Sequence, residues 1–318
     1  MSESIDNNIK KGKRIEYIDY LRCFGIIIMI MGHIGFTSIF DKWIHSFHMP
    51  IWFFISGYFC SKGQPLGNHV YKRIRTLLIP YFIFALIYVV LYGIMSNDWQ
   101  WSGILYPNSI QVPLNGALWF LIALFLADTV SYVALIVLPQ NVAIVFMLLI
   151  GMIGSLSILK LPFALDSALV GIGFFGFGYV FRQHCKPLFE LNFLKSSSLI
   201  ILSSVLALLN GTINMRANKY GFVILFWIVA IGMIIGLWNI FRCIGKKIKL
   251  KPCIEIGSES ILYVCLNQFI IYWLAQIRFE NIIIESLWKL IIVGIVLIIC
   301  FWANRGIKKT PLKVIVGK

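Results

Sequence analysis

The chain has 318 residues, of which 59% are hydrophobic and only 13% charged, and its mean hydropathy is +0.86. These values exclude a soluble domain, a disordered chain and a fibrous one. The net charge of +15 suits a nucleic-acid partner unless the positive charge sits in short loops between apolar runs, where membrane orientation places it.

Residues 1–14 are polar and end in Lys10-Lys11-Gly12-Lys13-Arg14, the composition of a flexible cytoplasmic tail. Apolar runs then recur near 23–40, 43–60, 76–95, 117–138, 142–159, 163–181, 197–213, 221–241, 258–277 and 284–303. Each approaches the ~20 residues that a helix needs to cross a bilayer. The first run lacks a small-x-small cleavage site and reads as a retained anchor. The fold class is therefore all-α, a polytopic transmembrane bundle of about ten spans. Residues 15–304 form one membrane domain, and 305–318 form a basic cytoplasmic tail.

Charge supports this layout. With the N-terminus cytoplasmic, all of the 28 lysines and arginines fall inside except Lys42, Lys160, Arg216, Lys219, Arg278 and Lys289. That asymmetry places both termini inside and explains the basicity without nucleic acid. The seven cysteines form no C-x-x-C pair and read as packing residues. The longest outer loop, from about Ser96 to Gly116, carries Trp99 and Trp101; it either covers the mouth of a site or anchors at the interface.

Ionisable groups at membrane depth are costly and so point to function. Asp19, Arg22 and His33 share one stripe of the first run. Eleven residues separate Arg22 from His33, roughly three turns and 16–17 Å of rise. A cation at the cytoplasmic rim beneath an imidazole near mid-membrane fits an elongated anionic ligand such as coenzyme A. The same spacing also suits a headgroup-anchoring arginine and a histidine bonded to a neighbouring helix. His45 and His48 share a face of the second run, and Pro50 bends or restarts that helix. No third ligand accompanies them, so no metal is expected. Lys72, Arg73 and Arg75 offer either a second phosphate contact or ordinary positive-inside anchoring. Asp128 stands alone inside its run, available to a histidine or to bonding within the bundle.

These residues resemble the acyltransferase-3 family of integral membrane acyltransferases, especially its fucose 4-O-acetylase-like branch. Asp19-Tyr20-Leu21-Arg22 through Gly32-His33 is similar to that family's D-x-x-R, ten residues, then histidine. Phe47-His48-Met49-Pro50 through Ser56-Gly57-Tyr58, Lys72-Arg73-Ile74-Arg75 through Pro80-Tyr81, Leu118-Trp119-Phe120-Leu121 and Phe175-Gly176-Phe177-Gly178-Tyr179 also fit. One departure stands out: after Gly257-Ser258-Glu259-Ser260-Ile261, Asn267 occupies the position where the family usually has a second histidine.

The resemblance implies transfer of an acyl group, usually acetyl from acetyl-CoA, to a hydroxyl of a cell-surface sugar or polysaccharide precursor in a bacterial inner membrane. It carries over Arg22, His33, Arg73 and Arg75. On this reading His33 is the general base, or an acyl relay, and Arg22 is its catalytic partner. Arg22, Arg73 and Arg75 hold the donor's phosphates, while Asp19, His48 and Trp119 shape the cavity or contact substrate. The implied partners are acyl-CoA, a glycan or lipid-linked sugar acceptor and membrane lipids. The competing readings are a transporter or flippase of a lipid-linked sugar or acyl compound, and a non-catalytic scaffold.

Overall fold

A computed structural model describes residues 14–107, 110–157, 159–185, 189–245 and 249–316. Among these, regular structure is helical apart from one hairpin of two two-residue strands. The helices are α1 (Glu16–Ile34), α2 (Ser38–His45), α3 (His48–Phe59), α4 (Leu66–Arg73), α5 (Ile79–Ser96), α6 (Ser102–Leu105), α7 (Trp119–Val137), α8 (Gln140–Leu156), α9 (Leu165–Val180), α10 (Phe193–Leu209), α11 (Val223–Gly245), α12 (Lys251–Gly257), α13 (Ser260–Leu274) and α14 (Ile282–Ile307).

Six helical segments are long and apolar enough to cross a membrane, and α12 with α13 makes a seventh if that pair, bent by 87°, counts as one span. α8 and α10 are apolar but shorter. Each of the ten apolar runs is largely helical, yet the first breaks between Ile34 and Ser38 and the second between His45 and His48. α2 ends at His45 and α3 begins at His48, with Thr37 capping the start of α2 through a bond from Phe40 N–H. Pro50 lies in the first turn of α3, where its missing N–H costs nothing. The break therefore falls just before the proline, and it turns both His45 and His48 toward one space. A π-helical turn, Ile74–Leu78, joins α4 to α5 and carries Arg75.

α9 is the central helix, packed by α3, α7 and α8. Small residues make this possible. A methyl at Gly57 of α3 would collide with the Phe175 carbonyl, and one at Gly178 of α9 would collide with the Phe54 carbonyl. Close backbone approach of this kind is how helices associate where lipid removes the hydrophobic drive. α14 lies at the periphery, with Ile282, Leu287, Ile291 and Ile298 exposed as a lipid-facing surface suits.

Two connections at the same end of the bundle shape the site. Gln111, Gly116 and Ala117 come from the segment before α7. The antiparallel hairpin β1 (Ile213–Asn214) and β2 (Lys219–Tyr220) brings in Met215 and Arg216. Asn210 pins the hairpin base by accepting from Gly211 N–H at 2.8 Å and Phe222 N–H at 2.7 Å. Ser167 fixes its tip by donating to the Met215 carbonyl at 2.8 Å.

Candidate active site

The polar groups gather at two poles. At the first, α1 and α3 run past each other in opposite senses, so the last turn of α1 meets the first turn of α3. A cavity of about 160 Å3 opens there. It is lined by His33, His45, His48, Trp119, Arg216 and Gln268 among others. Of the candidates read from sequence, His33, His48 and Trp119 thus share one space.

Hydrogen bonds orient all three imidazoles. His45 Nδ1 lies 2.7 Å from the Asp41 carbonyl, and His48 Nδ1 lies 2.9 Å from the Ile44 carbonyl. A carbonyl only accepts, so each Nδ1 donates. The His45 and His48 rings meet edge to face at 5.0 Å. His33 Nδ1 instead faces the amide nitrogen of Gln268 at 2.7 Å. The Gln268 Oε1 accepts from Ala117 N–H at 3.2 Å, which fixes the direction of that amide. Its neighbour Asn267 turns back into its own helix and donates to the Tyr263 and Val264 carbonyls.

Arg216 reaches the cavity from the hairpin tip and donates to Gln111 Oε1. Among the described residues no carboxylate pairs with it, and burial lowers its guanidinium from the ordinary value. A second, more open space adjoins this one through His33, Gln111 and Gln268 and extends to Tyr92, Gln100 and Tyr272.

The second pole surrounds the last turn of α3, whose free carbonyls attract cations. The Arg22 guanidinium lies 5.1 Å from the Phe59 ring centroid. Arg182 donates to the carbonyls of Tyr58 and Cys60. Arg73 forms a two-point pair with Asp128, Nε to Oδ1 at 2.8 Å and Nη2 to Oδ2 at 2.7 Å. Asp128 is fully buried and also accepts from His69 Nε2 at 2.6 Å and Ser56 Oγ at 2.8 Å. The His69 ring stacks parallel on Tyr132 with centroids 3.7 Å apart. Spacing explains the cluster: His69 and Arg73 are four apart on α4, and Asp128 and Tyr132 are four apart on α7. Asp19 is buried and accepts from Arg14 at 2.5 Å and Arg22 at 3.4 Å. Arg75 sits on the π-helical turn beyond Arg73.

Arg22, Arg73, Arg75 and Asp19 do not line the histidine cavity. Arg22 lies three turns from His33 on α1, roughly 16–17 Å away along the axis. Between the poles, Met29 and Trp52 each stand about one turn inward from His33 and His48 and line the cavity. The Trp52 indole lies so close to α1 that a methyl on Gly25 would sit 3.0 Å from Cζ2.

Sequence reasoning passed over three contributors. His69 sits in a polar stretch before a span, and its only signal was the i, i+4 relation to Arg73. Arg216 was sorted as an outer-loop charge. Gln268 directly follows Asn267, and nothing in its sequence neighbourhood marks it.

The sequence model of the acyltransferase-3 family, described as an acyltransferase domain, matches residues 15–305. The chain belongs to that family. It is a multi-pass membrane acyltransferase. No curated protein and no solved structure matches this acyltransferase.

Proposed function

We propose that the acyltransferase moves an acetyl or related acyl group from acyl-CoA to a hydroxyl of a cell-surface sugar or polysaccharide precursor, in the manner of the fucose 4-O-acetylase-like branch and in a bacterial inner membrane. The observation that carries this reading is the two-pole arrangement along α1 and α3, with guanidinium groups at one end and an imidazole-lined cavity at the other. An elongated donor suits it. Phosphates meet Arg22, Arg73 and Arg75 at the pole that the charge distribution assigns to the cytoplasm. The thioester meets His33. The acceptor arrives from the opposite side, where residues 110–117 and the hairpin converge. His33 is the residue on which the chemistry depends, and the proton role it takes follows from its bond to Gln268.

The test uses membranes carrying the protein, labelled acetyl-CoA and a glycan acceptor. Label passes to the acceptor with wild type and not with His33→Ala, while both insert equally. Full transfer by His33→Ala overturns the reading. Movement of a lipid-linked sugar without acyl-CoA supports the transporter alternative instead.

A further inference from the structure

The three imidazoles of the cavity are not equivalent. Neutral imidazole carries one N–H, and the partner of one ring nitrogen decides where it sits. His45 and His48 donate from Nδ1 to backbone carbonyls, so in each the Nε2 atom holds a lone pair. His33 is the reverse. The Gln268 amide is held one way round, because its Oε1 shares the Ala117 N–H with Asn115 Oδ1 and its Nε2, if turned over, would oppose that N–H. The group facing His33 Nδ1 is therefore a donor, Nδ1 holds the lone pair, and the proton is on Nε2. With Nδ1 committed, each ring has Nε2 left for whatever occupies the cavity, and none of the three Nε2 atoms has a protein partner among the described residues.

We infer that Gln268 holds His33 as a hydrogen-bond donor to the reacting carbonyl, and that the proton acceptor of the cavity is His45. This rests on the acyl-transfer reading above. His45 is chosen over His48 on two grounds. It lies in the last turn of α2, where carbonyl ends favour a cation, whereas His48 opens α3, where N–H ends oppose one. It also follows by one turn Asp41, whose Oδ1 is buried without a hydrogen bond.

The step balances. His45 Nε2 takes the proton of the acceptor hydroxyl as its oxygen bonds to the thioester carbonyl carbon. The carbonyl oxygen gains the electron pair and accepts from His33 Nε2–H, with Arg216 the charged group lining the same cavity. Collapse breaks the carbon–sulfur bond, and the departing thiolate takes the proton from His45. An ester and free thiol result, and both histidines return to their starting forms. Gln268 is a positioning residue: it acts through His33.

The experiment combines spectroscopy and kinetics on the full chain in nanodiscs. Histidine is labelled with 15N, and the His33 ring signals are assigned by their loss in His33→Gln. The proton is expected on Nε2 in wild type and on Nδ1 in Gln268→Glu, because a carboxylate accepts where the amide donated. A wild-type proton on Nδ1 overturns the inference. With acetyl-CoA and a glycan acceptor, Gln268→Glu is expected to lower kcat about 10²–10³-fold, the usual cost of one such donor, with KM for acetyl-CoA little changed. Unchanged or higher kcat makes His33 a base and overturns the inference. His45→Gln is expected to lower kcat more than His48→Gln, and the reverse order removes His45 from its role. If wild type shows the Nε2 proton yet transfers acetyl to no hydroxyl acceptor, the acyl-transfer reading fails while the tautomer assignment stands.

Discussion

The arginine pole and the histidine pole use polar groups in opposite ways. At the arginine pole the buried carboxylates are saturated: Asp128 takes four hydrogen bonds from Arg73, His69 and Ser56, and Asp19 takes two arginines. At the histidine pole each ring spends one nitrogen on the scaffold and keeps one for the cavity, and Arg216 meets only an amide oxygen among the described residues. A satisfied network locks geometry, whereas a half-satisfied one is a waiting binding surface. The carboxylates of the first pole hold helices in register while Arg22 and Arg73 stay partly exposed, and each ring of the second keeps a nitrogen for the cavity.

That contrast can be broken by experiment. The largest effect is expected from His33→Ala, which should cost about 10²–10³-fold in transfer with no change in thermal unfolding of the detergent-solubilised protein. A matching loss of stability would erase the distinction. Asp128→Ala should behave oppositely. It strands Arg73 and His69, and removing one partner of a buried ion pair costs about 3–5 kcal/mol, read as a lowered Tm together with lost expression. Asp128→Asn, which keeps some of the bonds, should fall between. Gly57→Ala pushes α3 away from the Phe175 carbonyl of α9. Overpacking of this sort costs about 1–3 kcal/mol, and Tm should drop without a selective effect on acetyl-CoA use. The smallest effect is expected at the hairpin tip: Arg216→Gln should reduce transfer about tenfold, or ~1.4 kcal/mol, and leave Tm unchanged.

Much of this was legible in the sequence, for physical reasons. Apolar runs announce helices because the bilayer leaves the backbone little choice. Arg22 and His33 could be aligned from spacing because they share one uninterrupted helix. His48 and Trp119 could be grouped with His33 only through the family pattern, since different elements carry them. What stayed hidden depends on tertiary placement. His69 reaches Asp128 because α4 folds back along α7, and nothing in its neighbourhood announces that partner. Arg216 enters the cavity only because Asn210 and Ser167 fasten the hairpin there. The split of the second run at Ser46-Phe47 was also misplaced by sequence, which located the irregularity at Pro50, a residue that the first turn of a helix accommodates.

The Trp52 indole, wedged against the bare backbone of Gly25, has a consequence for permeation. If donor and acceptor come from opposite faces, as proposed above, the catalyst would carry the danger of becoming a leak. On the two-pole reading proposed above, the Trp52 ring lining the cavity would be the flat aromatic group that both the donor's arm and any ion must pass. Acyl delivery and ion tightness would then depend on a single side chain.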